Sequence, residues 1–439
     1  MSSADPAPST ADSLDTAALV NPAGRATGLL LTGGGARAAY QVGVLQAIAK
    51  LRRRAGAQGT GNPFPVITGT SAGAINAAAL ASGADDFDGA VRRIAEVWRS
   101  FRAEQVYRSD ALAQLDAPGR WRMLLGLAQL LARWRRQQPR ALLDNRPLAD
   151  LLQRLVPLDR LPQLMADGHL HALAVTASSY SAGAHHTFYE AAAPMAPWVR
   201  SQRIAVAGRI THQHLLASSA IPFVFPATGI EVGGRTGYFG DGSMRQSAPI
   251  SAAIHLGAER VLVIGAGRMH EPPAEPGPNA LTGYPTLAQI AGHALSSIFL
   301  DALAVDVERV HRVNQTLALI PDAARHLTQL RPVELLVISP SERIDGIAAR
   351  HVRELPRVVQ RLLGGQQTTA AGSDAKASAL ASYLLFERGF TRELMARGRA
   401  DTLRQKDEVL RFFGWSAAAP GESAAPTGSP AASPSSVGE

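Results

Sequence analysis

A β-like run, Ala26 to Thr32, passes straight into Gly33-Gly34-Gly35 and then into a helical pattern from Ala36 to about Arg54. Consecutive glycines at a strand end let backbone N–H groups converge on one oxygen with no Cβ in the way. A second handover follows. A short strand, Phe64 to Thr68, meets a sharp turn at Gly69 to Gly73 and then a small-residue helix, Ala74 to Ala81. Strand, glycine turn and helix, twice over, predict a sheet covered by helices.

The rest of the chain fits that plan. Residues from about 85 to 165 read as mostly helical, and strand patterns return at His171 to Ser178 and His185 to Ala191. A short helix near Thr211 to Ser219 leads into Ile221-Pro222-Phe223-Val224-Phe225-Pro226, which the prolines make extended or turning. Arg235 to Gly240 reads as a strand that delivers Asp241-Gly242. Helix Pro249 to Leu256 and strand Arg260 to Ala266 follow, then a Pro/Gly/Glu-rich loop from Arg268 to Pro285. After it come a long helix from Thr286 to about Ala318, a strand from Val333 to Ser339, and mainly helix to Phe413. Residues 1–24 and 416–439 are Ala-, Ser- and Pro-rich and read as disordered tails. The expected organisation is one domain over 25–415, with its motifs in 26–270 and a helical C-terminal extension over 286–415.

Three motifs could carry chemistry. Gly69-Thr70-Ser71-Ala72-Gly73 is G-x-S-x-G, with apolar Val66-Ile67 before it and an alanine-rich helix after it. A nucleophile on such a strand-to-helix turn is pushed clear of the sheet, and its neighbours must be small. The helix behind it offers free N–H groups and a positive dipole end to a developing oxyanion. The bland reading is a structural turn, and the flanks favour the elbow. Gly33-Gly34-Gly35 is a candidate oxyanion loop, with Arg37 able to hold it or to attract a phosphate. The same glycines also satisfy a dinucleotide fingerprint, Gly33-x-Gly35-x-x-Ala38. That reading needs an acidic residue about 20 positions on. Arg52, Arg53 and Arg54 stand there instead, suiting a ribose phosphate or a basic helix C-terminus.

The third motif is Asp241-Gly242. A serine hydroxyl needs a base within reach. His255, His293 and His311 follow in the chain order of an α/β-hydrolase triad, but all fall in helical patterns with ordinary surface or core roles. The chain has no cysteine, which excludes thiolate nucleophiles, thiolate metal sites and disulfides.

Together, Thr32-Gly33-Gly34-Gly35-Ala36-Arg37, Gly69-Thr70-Ser71-Ala72-Gly73 and Asp241-Gly242 resemble the ordered motifs of patatin-like phospholipases. Ala39 to Leu45 and Ala217 to Pro222 resemble bacterial members. The resemblance implies a three-layer α/β/α sandwich around a mixed, mostly parallel sheet. It also implies a Ser–Asp dyad: Ser71 as nucleophile, Asp241 as general base, and Gly33, Gly34, Gly35 and Arg37 around the oxyanion hole. The implied substrates are acyl esters of phospholipids, lysophospholipids or other lipids, with no cofactor and no metal. The family usually has glycine where this chain has Ala38. A methyl there could shift the loop, which keeps a non-catalytic lipid-binding protein of the same fold as an alternative, beside the dinucleotide-binding oxidoreductase.

Net charge of +8 favours anionic partners, including a membrane surface. Residues 119–140 form an arginine-striped, Trp-flanked amphipathic pattern that suits either an interfacial helix or a core-packed surface helix. No nucleic-acid recognition motif accompanies it. The N-terminal residues carry no secretory pattern and no long apolar span is present. A cytoplasmic protein, peripheral at the inner membrane surface, is expected.

Overall fold

The computed structural model describes residues 26–108, 141–269, 297, 302–362 and 374–415. The tails, the amphipathic 119–140 segment, most of the 268–285 loop and the start of the helix expected from Thr286 lie outside the described residues.

Ten strands form one sheet: β1 (Thr27–Leu31), β2 (Val66–Thr70), β3 (Ala172–Ser179), β4 (His185–Ala191), β5 (Val199–Arg200), β6 (Arg203–Ala207), β7 (Thr228–Val232), β8 (Arg235–Asp241), β9 (Arg260–Ile264) and β10 (Glu334–Ile338). The order is β10-β9-β1-β2-β3-β4-β6-β5, with β8 also pairing β3 and β7 pairing β8. From β10 to β3 every pairing is parallel. Antiparallel pairings join β3 to β4 and β8, β5 to β6, and β7 to β8. The sheet is mixed and mostly parallel.

Strand periodicity of two splits the core into two layers. Leu29, Leu31, Ile67, Leu173, Val175, Leu262 and Ile264 face one side; Leu30, Val66, Ala172, Ala174, Val261 and Val263 face the other. The first side is covered by α1 (Ala39–Arg54), α2 (Ala72–Ala81), α3 (Phe87–Arg99), α4 (Arg146–Leu155), α5 (Leu161–Ala166) and α6 (His212–Ser218). The second is covered by α7 (Ser251–His255) and α8 (Ala302–Ala318). The later helices, α9 (Ile344–His351), α10 (Arg357–Leu362), α11 (Asp374–Leu384), α12 (Arg388–Arg404) and α13 (Lys406–Phe413), return to the first side. α1 and α12 meet backbone to backbone: a Cβ on Gly43 would lie 2.1 Å from Met395 O, and one on Gly398 would lie 2.2 Å from Tyr40 O. No described helix is long and apolar enough to cross a membrane.

Several boundaries differ from expectation. β2 begins at Val66 rather than Phe64, because Pro65 has no N–H to give a ladder. It runs on through Gly69 and Thr70, and α2 starts at Ala72 rather than Ala74. Within the expected helical stretch 85–165, residues 142 and 143 are bound to another segment: their N–H groups donate to the carbonyls of Phe223 and Val224. β5, β6 and β7 were not expected; β5 is wholly exposed, and β6 and β7 bury only a central residue each, so they lack a clear apolar alternation.

Candidate active site

The sheet brings two strand ends into one lane. β4 pairs with β3 along Ala172–Ser178, occupying one edge. β2 occupies the other edge from Ala172 to Thr176, and β8 pairs just beyond, at Ala177–Ser179. β2 is parallel to β3 and β8 antiparallel, so they run toward each other and their C-terminal ends meet. Ser71 follows the last residue of β2, and Asp241 is the last residue of β8.

At that junction Ser71 Oγ donates to Asp241 Oδ2 at 2.6 Å. The direct contact leaves no room for an imidazole between them. Both residues are buried, Asp241 completely. Burial pushes the Asp241 carboxyl up to about 6, against the opposing pull of hydrogen bonds from Ser71 and Ser243. The other carboxylate oxygen accepts the Ser243 N–H at 2.8 Å. Gly242 packs where a Cβ would lie 2.2 Å from Thr176 O, so the chain leaves β8 hard against β3.

Ser71 has φ 55° and ψ −132°, a left-handed backbone that serine adopts at a cost. The turn is forced by close packing on both flanks. A Cβ on Gly73 would meet Leu31 O and Thr32 O at 2.4 Å, and one on Gly69 would meet Ala74 Cα at 2.6 Å. α2 starts at Ala72, with its first N–H groups lacking intrahelical partners.

The glycine loop sits beside this turn. Gly34 faces Ala266 Cβ, 2.6 Å from where its own Cβ would be, and Gly35, at φ 54°, faces the Tyr383 carbonyl. Residues 33–38 are all buried, which leaves no open pyrophosphate cradle for the dinucleotide reading. Arg52 instead donates to the carbonyls of Ala57, Gln58 and Gly61, closing the end of α1. Ala38 takes φ −63°, where an L-residue is at ease, so its methyl strains no backbone.

Arg37 takes one of the two roles expected of it, holding the loop. Its guanidinium donates to Ser382 Oγ at 2.7 Å and to Asp345, and lies 4.1 Å from the centre of the Tyr383 ring. Its own N–H donates to Gly34 O at 3.1 Å. It fastens the loop to the C-terminal helices.

Several supporting residues carry no sequence signature. Ser218, at the end of α6, accepts the Ser71 N–H on its hydroxyl. Asn76 donates to Gln41 Oε1 at 3.0 Å and Ala38 O at 3.2 Å, and accepts from Trp98 Nε1 at 2.9 Å. Gln41 donates to Thr32 O at 2.7 Å. This buried chain ties the glycine loop, α2 and α3 together. Ser218 could have been suspected from Ala217–Pro222; the Gln41–Asn76–Trp98 chain could not.

Ser71 and Gly35 open onto a cavity of about 610 Å³. Its walls are largely apolar, with Ile75, Ile94, Val97, Leu151, Leu152 and Phe225 among them. The candidate histidines are elsewhere. His255 stacks on Trp198 at 4.7 Å and bonds within its own helix, His311 is exposed, and His293 lies outside the described residues. Among the described residues no group of His, Asp and Glu could hold a metal ion.

A family model for patatin-like phospholipases matches residues 29–254, which is over half of the chain. The chain belongs to the patatin-like phospholipase family. The matched range includes the glycine loop, the serine turn and Asp241-Gly242 of this patatin-like chain. Two of the solved structures it resembles are these. VipD from Legionella pneumophila is 13% identical, with 86% of this chain and 69% of that one covered at a TM-score of 0.31. Human GIVD cytosolic phospholipase A2 is 10% identical, with 92% of this chain and 61% of that one covered at a TM-score of 0.44. No curated protein sequence matches this patatin-like chain.

Proposed function

We propose that this patatin-like protein hydrolyses fatty-acyl esters of phospholipids or lysophospholipids through a Ser71–Asp241 dyad and an acyl-serine intermediate. The observation that carries the reading is the 2.6 Å hydrogen bond from Ser71 Oγ, which lines an apolar cavity, to a fully buried carboxylate. A carboxylate is ordinarily a weak base. Burial makes Asp241 a stronger one, yet it is still ionised at neutral pH.

Asp241 takes the Ser71 proton as Oγ attacks the ester carbonyl. The Ser71 N–H is held by Ser218, so the oxyanion falls to other donors. Gly35 and Ala72 line the cavity at this point, and their N–H groups, with that of Gly34, are the ones we assign. Removing one such donor typically costs about 3–4 kcal/mol in the transition state. Collapse expels the lysolipid or alcohol and leaves acyl-Ser71. Asp241, now protonated, gives its proton to the leaving oxygen, then activates water to release the fatty acid. No step calls on a metal or an organic cofactor.

We read residues 25–415 as one catalytic domain, because Arg37, Tyr40 and Trp98 all bond to α11 or α12 or pack against residues flanking them. A lipid-panel assay tests the function. Wild type should release fatty acid and label with a fluorophosphonate, whereas Ser71→Ala should do neither and Asp241→Asn should lose turnover. Full activity in Asp241→Asn would end the dyad assignment, and a panel with no acyl release would end the hydrolase reading.

A further inference from the structure

His351 closes α9, and its ring stands between two carboxylates. Nδ1 lies 2.6 Å from Glu354 Oε1, in the turn Val352–Glu354, and Nε2 lies 2.7 Å from Glu393 Oε2, on α12. An ionised carboxylate only accepts hydrogen bonds, and a neutral imidazole has a single N–H to give. Both contacts are hydrogen bonds only when both ring nitrogens carry protons. The geometry therefore selects the imidazolium.

The surroundings suit that charge. Arg350 shares Glu393 with His351 and also faces Glu342, which Arg397 of α12 holds. Glu354 rests on the first turn of α12: a Cβ on Gly389 would lie 2.2 Å from its Oε1. A carboxylate is favoured at a helix start. Phe390, completely buried, packs edge-on against His351 with ring centres 6.0 Å apart. Burial opposes the charge on His351, but the bonds to Glu354 and Glu393 outweigh it and raise the pKa above the ordinary 6.5. Burial opposes ionisation of Glu393 too, yet His351 and Arg350 hold its carboxyl below the usual value. Glu387, just before α12, adds a further carboxyl, raised by burial and by the charges of Glu104 and Glu354.

We infer that His351 is a pH-operated clasp between α9 and α12. With two ring protons it joins the turn after α9 to the first two turns of α12. With one proton gone, one of the two contacts sets lone pair against lone pair and opens. The clasp bears on the glycine loop through α9 itself. Asp345, in the first turn of α9, anchors Arg37 and lies ~9 Å along the helix from His351. A proton on His351 thus fixes the seat from which Asp345 holds that loop. Because folding raises the His351 pKa, the stabilisation is fully present below about pH 6.5 and is lost as pH rises through the higher folded value.

Three readouts test the clasp, and none needs turnover, so it stands or falls apart from the proposed function. In protein with isotope-labelled histidine, the His351 ring, assigned by its absence in His351→Gln, should titrate above 6.5 by NMR. Glu354→Gln, at an exposed position, should lower that midpoint. Wild type should melt above His351→Gln below about pH 6.5 and lose that margin at alkaline pH. Hydrogen exchange of the α9 amides should quicken over the same interval in wild type, beyond the ordinary rise with pH, and not in His351→Gln. A His351 midpoint at or below 6.5, or a melting margin constant with pH, overturns the clasp. Should His351→Gln fail to fold, Glu354→Gln decides: a histidine spectrum whose midpoints all match wild type overturns it as well.

Discussion

Ser218 bridges the two arms of the candidate dyad: its hydroxyl accepts the Ser71 N–H at 2.8 Å, and its carbonyl accepts the Gly242 N–H at 3.1 Å. The next turn continues the lacing, with Ala220 O accepting the Asp241 N–H at 3.0 Å. The end of α6 thus holds β2 and β8 in register at the point where no ladder joins them directly.

Ser218→Ala removes only the hydroxyl. The Ser71 N–H is then buried without a partner, which costs about 1–3 kcal/mol. The thermal midpoint should fall, and kcat should fall about tenfold as the Ser71 elbow loosens, with KM little changed because Ser218 does not line the cavity. Thermal melts and steady-state kinetics check both, and a variant indistinguishable from wild type would remove Ser218 from the site.

The raised Asp241 carboxyl links stability to pH with a definite sign. Its pKa is about 6 in the folded chain against an ordinary 3.8, so folding favours the protonated form. That contribution is fully present below about pH 4 and is lost as pH rises through about 6. Asp241→Asn carries no charge to desolvate. It should therefore gain on wild type between about pH 4 and 6 and keep an advantage of roughly 3 kcal/mol above that. Activity runs the other way: kcat/KM in wild type should rise about tenfold per pH unit below about 6 and flatten above it. Melting curves of the two proteins across pH, set beside the pH–rate profile, check the pair. A wild-type profile still flat at pH 5 would contradict it.

Much of the site was legible because its demands are local. Gly73 and Gly242 leave no space for a Cβ, and Gly34 and Gly35 leave none where the chain passes beside Ala266 and against the Tyr383 carbonyl. Such constraints are written in the residues that obey them. The partners by which Arg37 holds the loop, Asp345 and Ser382, were not legible, because they lie in helices hundreds of positions later and only packing brings them to it. The Gln41–Asn76–Trp98 chain was invisible for the same reason. β5 and β7 escaped notice because short exposed strands show no apolar alternation.

Arg37→Met separates the fastening role from phosphate attraction. The lost ion pair with Asp345 and the lost bond to Ser382 should lower stability by about 2–4 kcal/mol. The ratio of kcat/KM for a phospholipid to that for a neutral acyl ester should stay within about twofold of wild type, because the guanidinium is spent on Asp345, Ser382 and Tyr383. A selective loss of phospholipid turnover would restore Arg37 to substrate binding.

Ser71 holds a left-handed backbone, φ 55° and ψ −132°, that glycine adopts freely and a Cβ-bearing residue does not. Both Ser71→Ala and Ser71→Gly delete the hydroxyl and its bond to Asp241, so comparing the two isolates the backbone. Glycine relieves strain of order 1–3 kcal/mol, partly offset by about 0.5–1 kcal/mol of extra freedom in the unfolded chain. Ser71→Gly should accordingly melt above Ser71→Ala, by about 1 kcal/mol in stability, and both should be inactive. Matched thermal melts decide it. Equal melting points would mean that the turn is shaped by Gly69 and Gly73 alone, and that the nucleophile position stores no strain.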